Sequence, residues 1–248
     1  MLKVLVTRPI VQGERLGSRL SKQGFTPILA PMIKIAELGI EARQSQISAL
    51  KKIVPESTVI AISSNAFTMA NRLLEEEGIP VPESVKWFAV GSATAQVMRE
   101  AGICPKTPQS SFTTEGLLAL EDLLDVRNKS VVILAGTGGR RKLEQALDAR
   151  GARVDRIELY QRVALTPEEV QISSEPDAMI AMSGETIEGL GNYLRSSGRM
   201  DWLDKPVFVP SARVAQLAFD AQFKKVRITE NPTEESLRLA LCRLASEV

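Results

Sequence analysis

Short apolar segments alternate with amphipathic segments from one end of the chain to the other. Few apolar segments alternate residue by residue with polar positions, which is typical of parallel strands buried on both faces. The amphipathic segments place leucines one turn apart, which predicts helices. This alternation predicts α/β sheets with helices on both faces. The predicted strands are 3–7, 27–30, 58–62, 86–90, 130–134, 153–157, 178–182, 206–209 and 225–228, and the predicted helices are 11–23, 65–77, 92–101, 114–124, 140–150, 185–194, 212–221 and 233–245.

The pattern occurs twice. Residues 60–102 align without a gap on residues 180–222, with identities at Ile60/Ile180, Ala61/Ala181, Ser63/Ser183, Leu74/Leu194, Gly78/Gly198, Phe88/Phe208, Ala95/Ala215, Gln96/Gln216 and Ala101/Ala221. Unrelated segments of that length would share roughly three residues. A second repeat, offset by 127, aligns Leu16 with Leu143, Leu20 with Leu147 and Gly24 with Gly151. The second repeat precedes the first in each half of the chain, which indicates two similar lobes with a cleft between them.

Two extended segments, 31–39 and 156–167, interrupt the rhythm and are the predicted connectors between domains. If the ends of the chain pack together, residues 1–33 and 168–248 form one discontinuous lobe, and residues 40–155 form an inserted lobe. The chain then crosses twice between lobes, and the two crossings can pair as a short β ladder. The alternative is one lobe after the other, which needs a single crossing.

Composition restricts the chemistry. The net charge of +1 argues against sequence-independent nucleic-acid binding. No apolar run approaches the roughly 18 residues that span a bilayer, and the start of the chain predicts a strand rather than an export signal. The expected compartment is therefore the cytoplasm. The chain has no histidine, which removes Ser-His-Asp and Cys-His catalysis and most histidine-ligated metal sites. Any chemistry is therefore expected to use hydroxyls, carboxylates, backbone amides or the substrate itself.

The ends of the predicted strands carry small, hydroxyl-bearing or glycine residues. Ligands of doubly wound sheets bind beyond the C-terminal strand ends, where amides at helix starts donate to anions. Such residues are also ordinary helix caps and turn formers. Six such ends with matching placement in both repeats favour a shared ligand site. The candidate binding residues are Thr7, Arg8, Ser63, Ser64, Asn65, Gly91, Thr94, Gly138, Gly139, Ser183, Ser211 and Arg213.

The glycine-rich segment 136–141 matches neither the dinucleotide fingerprint nor the phosphate loop, so a nucleotide-dependent transferase has little support. Cations at 140–142 would oppose the dipole of the following helix unless an anion lies nearby; a solvated helix start is the alternative interpretation. Tyr160 lies in the second connector. In a chain with two tyrosines and no histidine, it is the candidate neutral proton donor, and packing is its alternative role.

Taken in order, these residues resemble the uroporphyrinogen III synthase family over nearly the whole chain. Each motif is short, and their order and spacing carry the resemblance. Alanine at 135, where many members have arginine, and Met182, where a Thr-Ser pair is common, depart from the pattern. The matching motifs are Thr-Arg-Pro at 7–9, Ser-Asn-Ala at 64–66, Val-Gly-Ser-Ala-Thr-Ala at 90–95, Thr-Glu-Gly-Leu-Leu at 114–118, Gly-Gly-Arg at 138–140, Arg-Gly-Ala at 150–152, Tyr-Gln-Arg at 160–162 and Ser-Ala-Arg at 211–213.

The resemblance implies two doubly wound, flavodoxin-like lobes, one inserted in the other, with a two-stranded connector and an active site between them. It implies cyclisation of a linear tetrapyrrole, hydroxymethylbilane, with inversion of ring D through a spiro intermediate and without a cofactor. On this resemblance, Tyr160 is either a helper for departure of the hydroxyl group or only a contact to the substrate. Thr94 is a substrate ligand, and Arg8 and Arg213 are partners of the substrate's carboxylates.

Partners and alternatives follow from the same comparison. The expected partner is the tetrapyrrole, handed over by the preceding enzyme of its pathway; we expect no nucleic acid, no membrane and a monomer. The alternative in another class is a non-catalytic two-lobed protein that closes over a small anionic ligand. Duplicated lobes with amide-rich strand ends would look alike in both cases.

Overall fold

The computed structural model describes residues 1–108, 112–230 and 233–247. Its strands are β1 Lys3–Val6, β2 Thr26–Leu29, β3 Ile33–Ala36, β4 Thr58–Ala61, β5 Lys86–Ala89, β6 Ser130–Gly136, β7 Arg153–Ala164, β8 Ala178–Ile180, β9 Pro206–Val209 and β10 Lys225–Ile228. Its helices are α1 Ile10–Lys22, α2 Ile40–Leu50, α3 Ser64–Glu76, α4 Ser92–Glu100, α5 Thr114–Leu118, α6 Glu121–Leu124, α7 Lys142–Ala149, α8 Gly184–Ser196, α9 Ala212–Asp220 and α10 Glu234–Ser246, with a 3-10 helix at Met200–Asp204.

The chain forms two compact units. Unit 1 consists of Met1–Lys34 and Val163–Val248, and unit 2 is Ile35–Arg162. The chain passes from unit 1 into unit 2 within β3 and returns within β7, and these two strands are hydrogen-bonded neighbours. The predicted fold class, with doubly wound lobes, one inserted in the other, and a two-stranded connector, is confirmed. The predicted lobe limits, 1–33 with 168–248 and 40–155, stay a prediction about where each folding unit ends.

In unit 1 the strands pair in the order β10-β9-β8-β1-β2, and all neighbours are parallel. Val4 and Val6 of β1 pack on one face with α1 and α10, whereas Leu5 packs on the other with α8 and α9. Successive residues of a strand point to opposite faces, so a strand covered on both sides is apolar throughout. This explains the absence of strict alternation in its sequence.

Unit 2 repeats this arrangement. Its order is β3-β7-β6-β4-β5, with β7, β6, β4 and β5 mutually parallel. Ile60 and Ile133 pack on the face that α5, α6 and α7 cover, and Val59 and Val132 pack on the face that α3 and α4 cover. The set β2-β1-β8-β9 of unit 1 therefore matches β7-β6-β4-β5 of unit 2.

The repeats coincide with these elements. β4, α3, β5 and α4 begin 120 residues before β8, α8, β9 and α9, and β1 and β2 begin 127 residues before β6 and β7. Gly24 and Gly151, which follow α1 and α7, both have positive φ, +84° and +81°. That left-handed conformation ends a helix at low cost only for residues such as glycine.

Some of the described elements differ from their predictions. Helix α2 was not predicted, because its buried positions are Gln46 and Leu50 and its apolar residues do not recur at helical spacing. The helix predicted at 114–124 is two short helices, separated where Leu120 adopts an extended conformation. Strand β7 continues through most of the predicted connector. Within the described ranges, none of the helices combines the length and apolar character needed to cross a membrane.

Candidate functional site

In each sheet, the chain adds one strand on one side of a central strand and a later strand on its other side. In unit 2, β4 is followed by β5 on one side and by β6 on the other; in unit 1, β1 is followed by β2 and then by β8. In sheets of this kind, ligands bind where the loops that leave the carboxyl ends of the two central strands diverge. In unit 2 these loops contain Ser63 and Gly136–Gly139, and in unit 1 they contain Arg8 and Ser183.

Two hydroxyl groups meet in unit 2. Ser63 Oγ lies 3.1 Å from Tyr160 Oη, and either atom can be the donor. Ser63 is also the N-cap of α3, where its Oγ accepts a hydrogen bond from the Ala66 N–H at 3.1 Å. Tyr160 is buried, with 4% of its surface exposed, whereas Ser63 is half-buried. The pair forms a short hydroxyl chain from the interior of unit 2 towards its surface.

A glycine allows this contact across the sheet. β6 lies between β4, which precedes Ser63, and β7, which carries Tyr160. A Cβ at Gly136 would lie 2.6 Å from Tyr160 Cζ, closer than real contacts allow. The Tyr160 ring therefore occupies the space that a side chain at position 136 would take.

A β-bulge determines the face of the sheet on which the Tyr160 side chain lies. Ala135 pairs with Glu158, but the next residue, Gly136, pairs with Tyr160, so Leu159 is an extra residue in β7. A bulge changes which face a side chain occupies, and bulges are common beside active sites. Leu159 and Tyr160 consequently both pack in the same core cluster, with Ile157, although they are consecutive.

Arg156 holds the loop that follows β6. Its Nη2 donates to the carbonyl oxygens of Gly136 at 2.9 Å and Gly138 at 2.7 Å. Its other nitrogens bond Glu144 of α7 and Glu158 of β7. The Gly138 N–H in turn donates to Glu158 Oε1 at 3.4 Å. Sequence reasoning missed Arg156 and Glu144; the signal was Arg156 two residues before Glu158, which puts both on one face of a strand.

The other candidates of unit 2 lie on the same edge of its sheet. Ser64 and Asn65 are half-buried on the first turn of α3, and Gly91 is the N-cap of α4, whose first turn holds the buried Thr94. Gly138 and Gly139 are exposed and have positive φ. Because the Gly138 amide donates to Glu158, the loop has fewer amide donors directed at an anionic ligand than its sequence indicates.

The candidates of unit 1 separate into caps and cations. Ser183 and Ser211 are N-caps whose Oγ atoms accept from the Thr186 and Val214 amides. Arg8 is half-buried after β1, and Arg213 is exposed on the first turn of α9.

Thr7 is the exception among the candidates of unit 1. Its side chain is fully buried, and its hydroxyl donates to the Ile180 carbonyl oxygen at 2.7 Å. It ties β1 to β8.

The cations at 140–142 have an anionic neighbour in the protein itself. Lys142 begins α7 and bonds the carboxylate of Glu115 on α5, and this contact lowers the pKa of Glu115 to about 2. Arg140 and Arg141 are exposed. Over the residues that the structure describes, no three His, Cys, Asp or Glu side chains are grouped to hold a metal ion. The two family departures, Ala135 and Met182, pack against the cores of their own units.

Comparison with known sequences gives a consistent result. The family model described as uroporphyrinogen-III synthase HemD matches residues 14–238. The chain is 30% identical over 249 aligned positions to the uroporphyrinogen-III synthase of Escherichia coli strain K12, and 29% identical to that of Salmonella typhimurium strain LT2. Both alignments cover 97% of this chain and 100% of the relative.

Solved structures show the same fold. A mutant uroporphyrinogen III synthase from the extremely thermophilic bacterium Thermus thermophilus superposes with a TM-score of 0.60 at 19% identity and covers 100% of both chains. The enzyme from Helicobacter pylori 26695 superposes with a TM-score of 0.57 at 17% identity, covering 98% of this chain and 100% of that one.

Proposed function

Because the chain belongs to the uroporphyrinogen-III synthase family, we propose that it converts hydroxymethylbilane into uroporphyrinogen III with inversion of ring D. The observation that carries the proposal is the family match over residues 14–238, which includes elements of both units. The match does not favour the alternative of a non-catalytic two-lobed binding protein.

The proposed reaction is a dehydration followed by ring closure, so the enzyme would act as a lyase. The terminal hydroxymethyl group leaves as water once it is protonated, and the pyrrole becomes an electrophilic azafulvene. The substituted α-carbon of ring D attacks it and gives a spiro intermediate. Cleavage of one bond of that intermediate and formation of another close the macrocycle with ring D reversed, and loss of a proton restores the aromatic pyrrole.

We propose that the Ser63–Tyr160 pair supplies the proton for departure of the hydroxyl group. Tyr160 is buried and its hydroxyl contacts Ser63, which is the more exposed member. Ser63 would contact the leaving hydroxyl and Tyr160 would replace the proton that Ser63 gives. A positioned general acid contributes about 10²–10⁴-fold in ordinary cases. We expect about tenfold here, because this substrate also cyclises without an enzyme.

The remaining candidates are proposed as binding groups for the substrate's carboxylates. Arg8 and Arg213 of unit 1 are the candidates for charge-assisted hydrogen bonds. Thr94 is proposed to contact the substrate, and amides at the starts of helices supply weaker contacts, each about 0.3–1 kcal/mol. We propose a structural role for Thr7, because its hydroxyl is committed to Ile180. Ser64, Asn65, Gly91, Gly138, Gly139, Ser183 and Ser211 complete the proposed binding set.

The proposed enzyme has to select the product isomer more than it has to accelerate ring closure. A hundredfold preference for the inverted product requires about 2.8 kcal/mol of differential stabilisation, at about 1.4 kcal/mol per factor of ten. Several weak contacts that hold the chain ends in one geometry are sufficient for that. We further propose that the protein acts as a monomer in the cytoplasm, without a cofactor, on substrate released by the preceding enzyme of the pathway.

The test is to supply freshly prepared hydroxymethylbilane and to separate the uroporphyrinogen isomers. Wild-type protein is expected to give mainly type III, and Tyr160→Phe and Ser63→Ala are each expected to lower kcat about tenfold. A Tyr193→Phe variant is the control, since Tyr193 is buried in the core of unit 1. Only type I product from folded wild-type protein would overturn the proposal.

A further inference from the structure

We infer that Arg156 is a positioning residue: it fixes the Gly136–Gly139 loop and, through that loop, the place of the Tyr160 ring. The inference rests on the proposed function of Tyr160. Its first support is the number of loop atoms that one guanidinium contacts. Nη2 alone bonds two carbonyl oxygens of the loop, those of Gly136 and Gly138.

The chemistry of the contacts requires arginine. A guanidinium presents several N–H donors in one rigid plane, whereas a lysine ammonium is a single point on a flexible stem. Here the plane reaches two loop carbonyls, Glu144 of α7 and Glu158 of β7. The side chains of Arg156 and Glu144 are only 9% and 11% exposed, so solvent screens their contact little.

The loop is linked directly to the tyrosine. The Gly136 carbonyl that Arg156 holds belongs to the residue over which the Tyr160 ring lies. The next amide, of Thr137, donates to the Tyr160 carbonyl oxygen at 2.7 Å. Gly136 and Tyr160 are also paired in register across the bulge. A displacement of the loop would therefore change both the backbone and the ring of Tyr160.

A purely stabilising role does not explain this arrangement. Buried ion pairs often contribute no more to stability than apolar residues of the same size. The pair with Glu144 joins α7 to β7, and that stabilising contact does not require the two bonds to the loop carbonyls. What Arg156 adds is a fixed conformation for a loop that has exposed glycines at 138 and 139.

The first experiment compares Arg156→Lys with Arg153→Lys. Both arginines lie on β7, but Arg153 is exposed and bonds the Asn128 carbonyl oxygen, remote from the loop. We expect Arg156→Lys to lower kcat for type III product about tenfold, because a small misplacement of reacting groups is costly. We expect KM to change at most about twofold, because Gly138 and Gly139 of the displaced loop would supply only weak amide contacts and Arg8 and Arg213 are untouched. Arg153→Lys should resemble wild type in both.

The second experiment removes the tyrosine hydroxyl first. If Arg156 acts through Tyr160, the tenfold effect of Arg156→Lys disappears in a Tyr160→Phe background. A merely structural contribution would be the same in both backgrounds. Glu144→Gln, which keeps an acceptor for Arg156 but removes the charge, serves as a milder variant if Arg156→Lys is poorly folded.

The third measurement does not depend on activity. The chain has two tyrosines, so ring-labelled protein gives two sets of tyrosine resonances, and Tyr193 of unit 1 is an internal reference. Arg156→Lys is expected to shift or broaden the Tyr160 signals and to leave those of Tyr193 unchanged.

The outcomes separate the inference from the proposed function. Unchanged Tyr160 signals in Arg156→Lys would overturn the positioning role. If the wild type makes type III product, a kcat of Arg156→Lys equal to that of Arg153→Lys would overturn it as well. Absence of type III product from wild type would overturn the proposed function, whereas the Tyr160 resonances would still report whether Arg156 places the ring.

Discussion

The two units share one fold but differ in the groups at the carboxyl edges of their sheets. The repeats pair Arg8 of unit 1 with Ala135 of unit 2, and Arg213 with Ala93. Unit 1 thus has cations at two positions where unit 2 has alanines. Unit 2 instead holds the Ser63–Tyr160 pair above a glycine, with a loop fixed by Arg156.

The difference shows which features duplication preserved. Ser63 and Ser183 are paired by the repeat, and both cap a helix through the same side-chain bond. Capping serves the fold, so it is common to both units. The two units differ at matched positions: the cations Arg8 and Arg213 belong to unit 1, and the hydroxyl pair suited to proton transfer belongs to unit 2. We therefore expect substitutions of Arg8 and Arg213 mainly to affect KM, and substitutions of Ser63 and Tyr160 mainly to affect kcat.

The largest effect is expected from Gly136→Ala. The added methyl group overlaps the Tyr160 ring and should destabilise the protein by about 1–3 kcal/mol, and the type III rate should fall at least about tenfold, as for Tyr160→Phe, because the ring is displaced. Gly39→Ala is the matched control, because within the described residues a Cβ there has no neighbour inside 4 Å. Urea unfolding and isomer analysis would measure both. Equal behaviour of the two variants would contradict the account of Tyr160.

A smaller effect is expected from Arg213→Ala. Loss of one exposed contact to a carboxylate, about 1 kcal/mol, should raise KM about fivefold and leave kcat unchanged. Adding Ala93→Arg, at the exposed counterpart in unit 2, should not restore KM. Steady-state kinetics at low salt would decide. Recovery in the double variant would show that the position of the cation is unimportant and would remove the contrast between units.

Thr7→Val tests the structural role of a residue whose counterpart in unit 2 is Leu134. The substitution removes the buried hydrogen bond to Ile180 and should lower the free energy of unfolding by about 1 kcal/mol. The activity of the folded fraction should not change. An increase in KM with unaltered stability would instead indicate that Thr7 contacts the substrate.

The smallest effect is expected from lowering the pH, which protonates Glu115, the partner of Lys142 at the start of α7. The folded pKa of Glu115 is about 2 against an ordinary 4.5, so its contribution to stability is complete above about pH 4.5 and is lost as the pH falls towards 2. Because the pair is exposed, the contribution is small. Glu115→Gln should reduce the acid dependence of the urea midpoint between about pH 4.5 and pH 2. Glu121→Gln, an exposed control on α6, should retain it.

The sequence predicted most strands and helices and the repeats, but it did not predict the role of Arg156 in the site. Strand and helix alternation, the repeats and the capping serines were readable because each depends on residues close in the chain. Helix α2 was missed because Gln46 replaces an apolar residue at a buried position. Arg156 was missed because Glu144, Gly138 and Gly136 lie 12 to 20 residues away and meet it only when β6, β7 and α7 pack.

By itself, therefore, the sequence determined two duplicated α/β units, the connectors between them and the polar strand ends, since hydrophobic periodicity records which face of each element is buried. Only the tertiary structure decided that Tyr160 reaches Ser63 across Gly136, and that Thr7 is buried. The physical reason is register: a single extra residue, Leu159, sets which side chains of β7 meet those of β6. No local pattern encodes that alignment between distant strands.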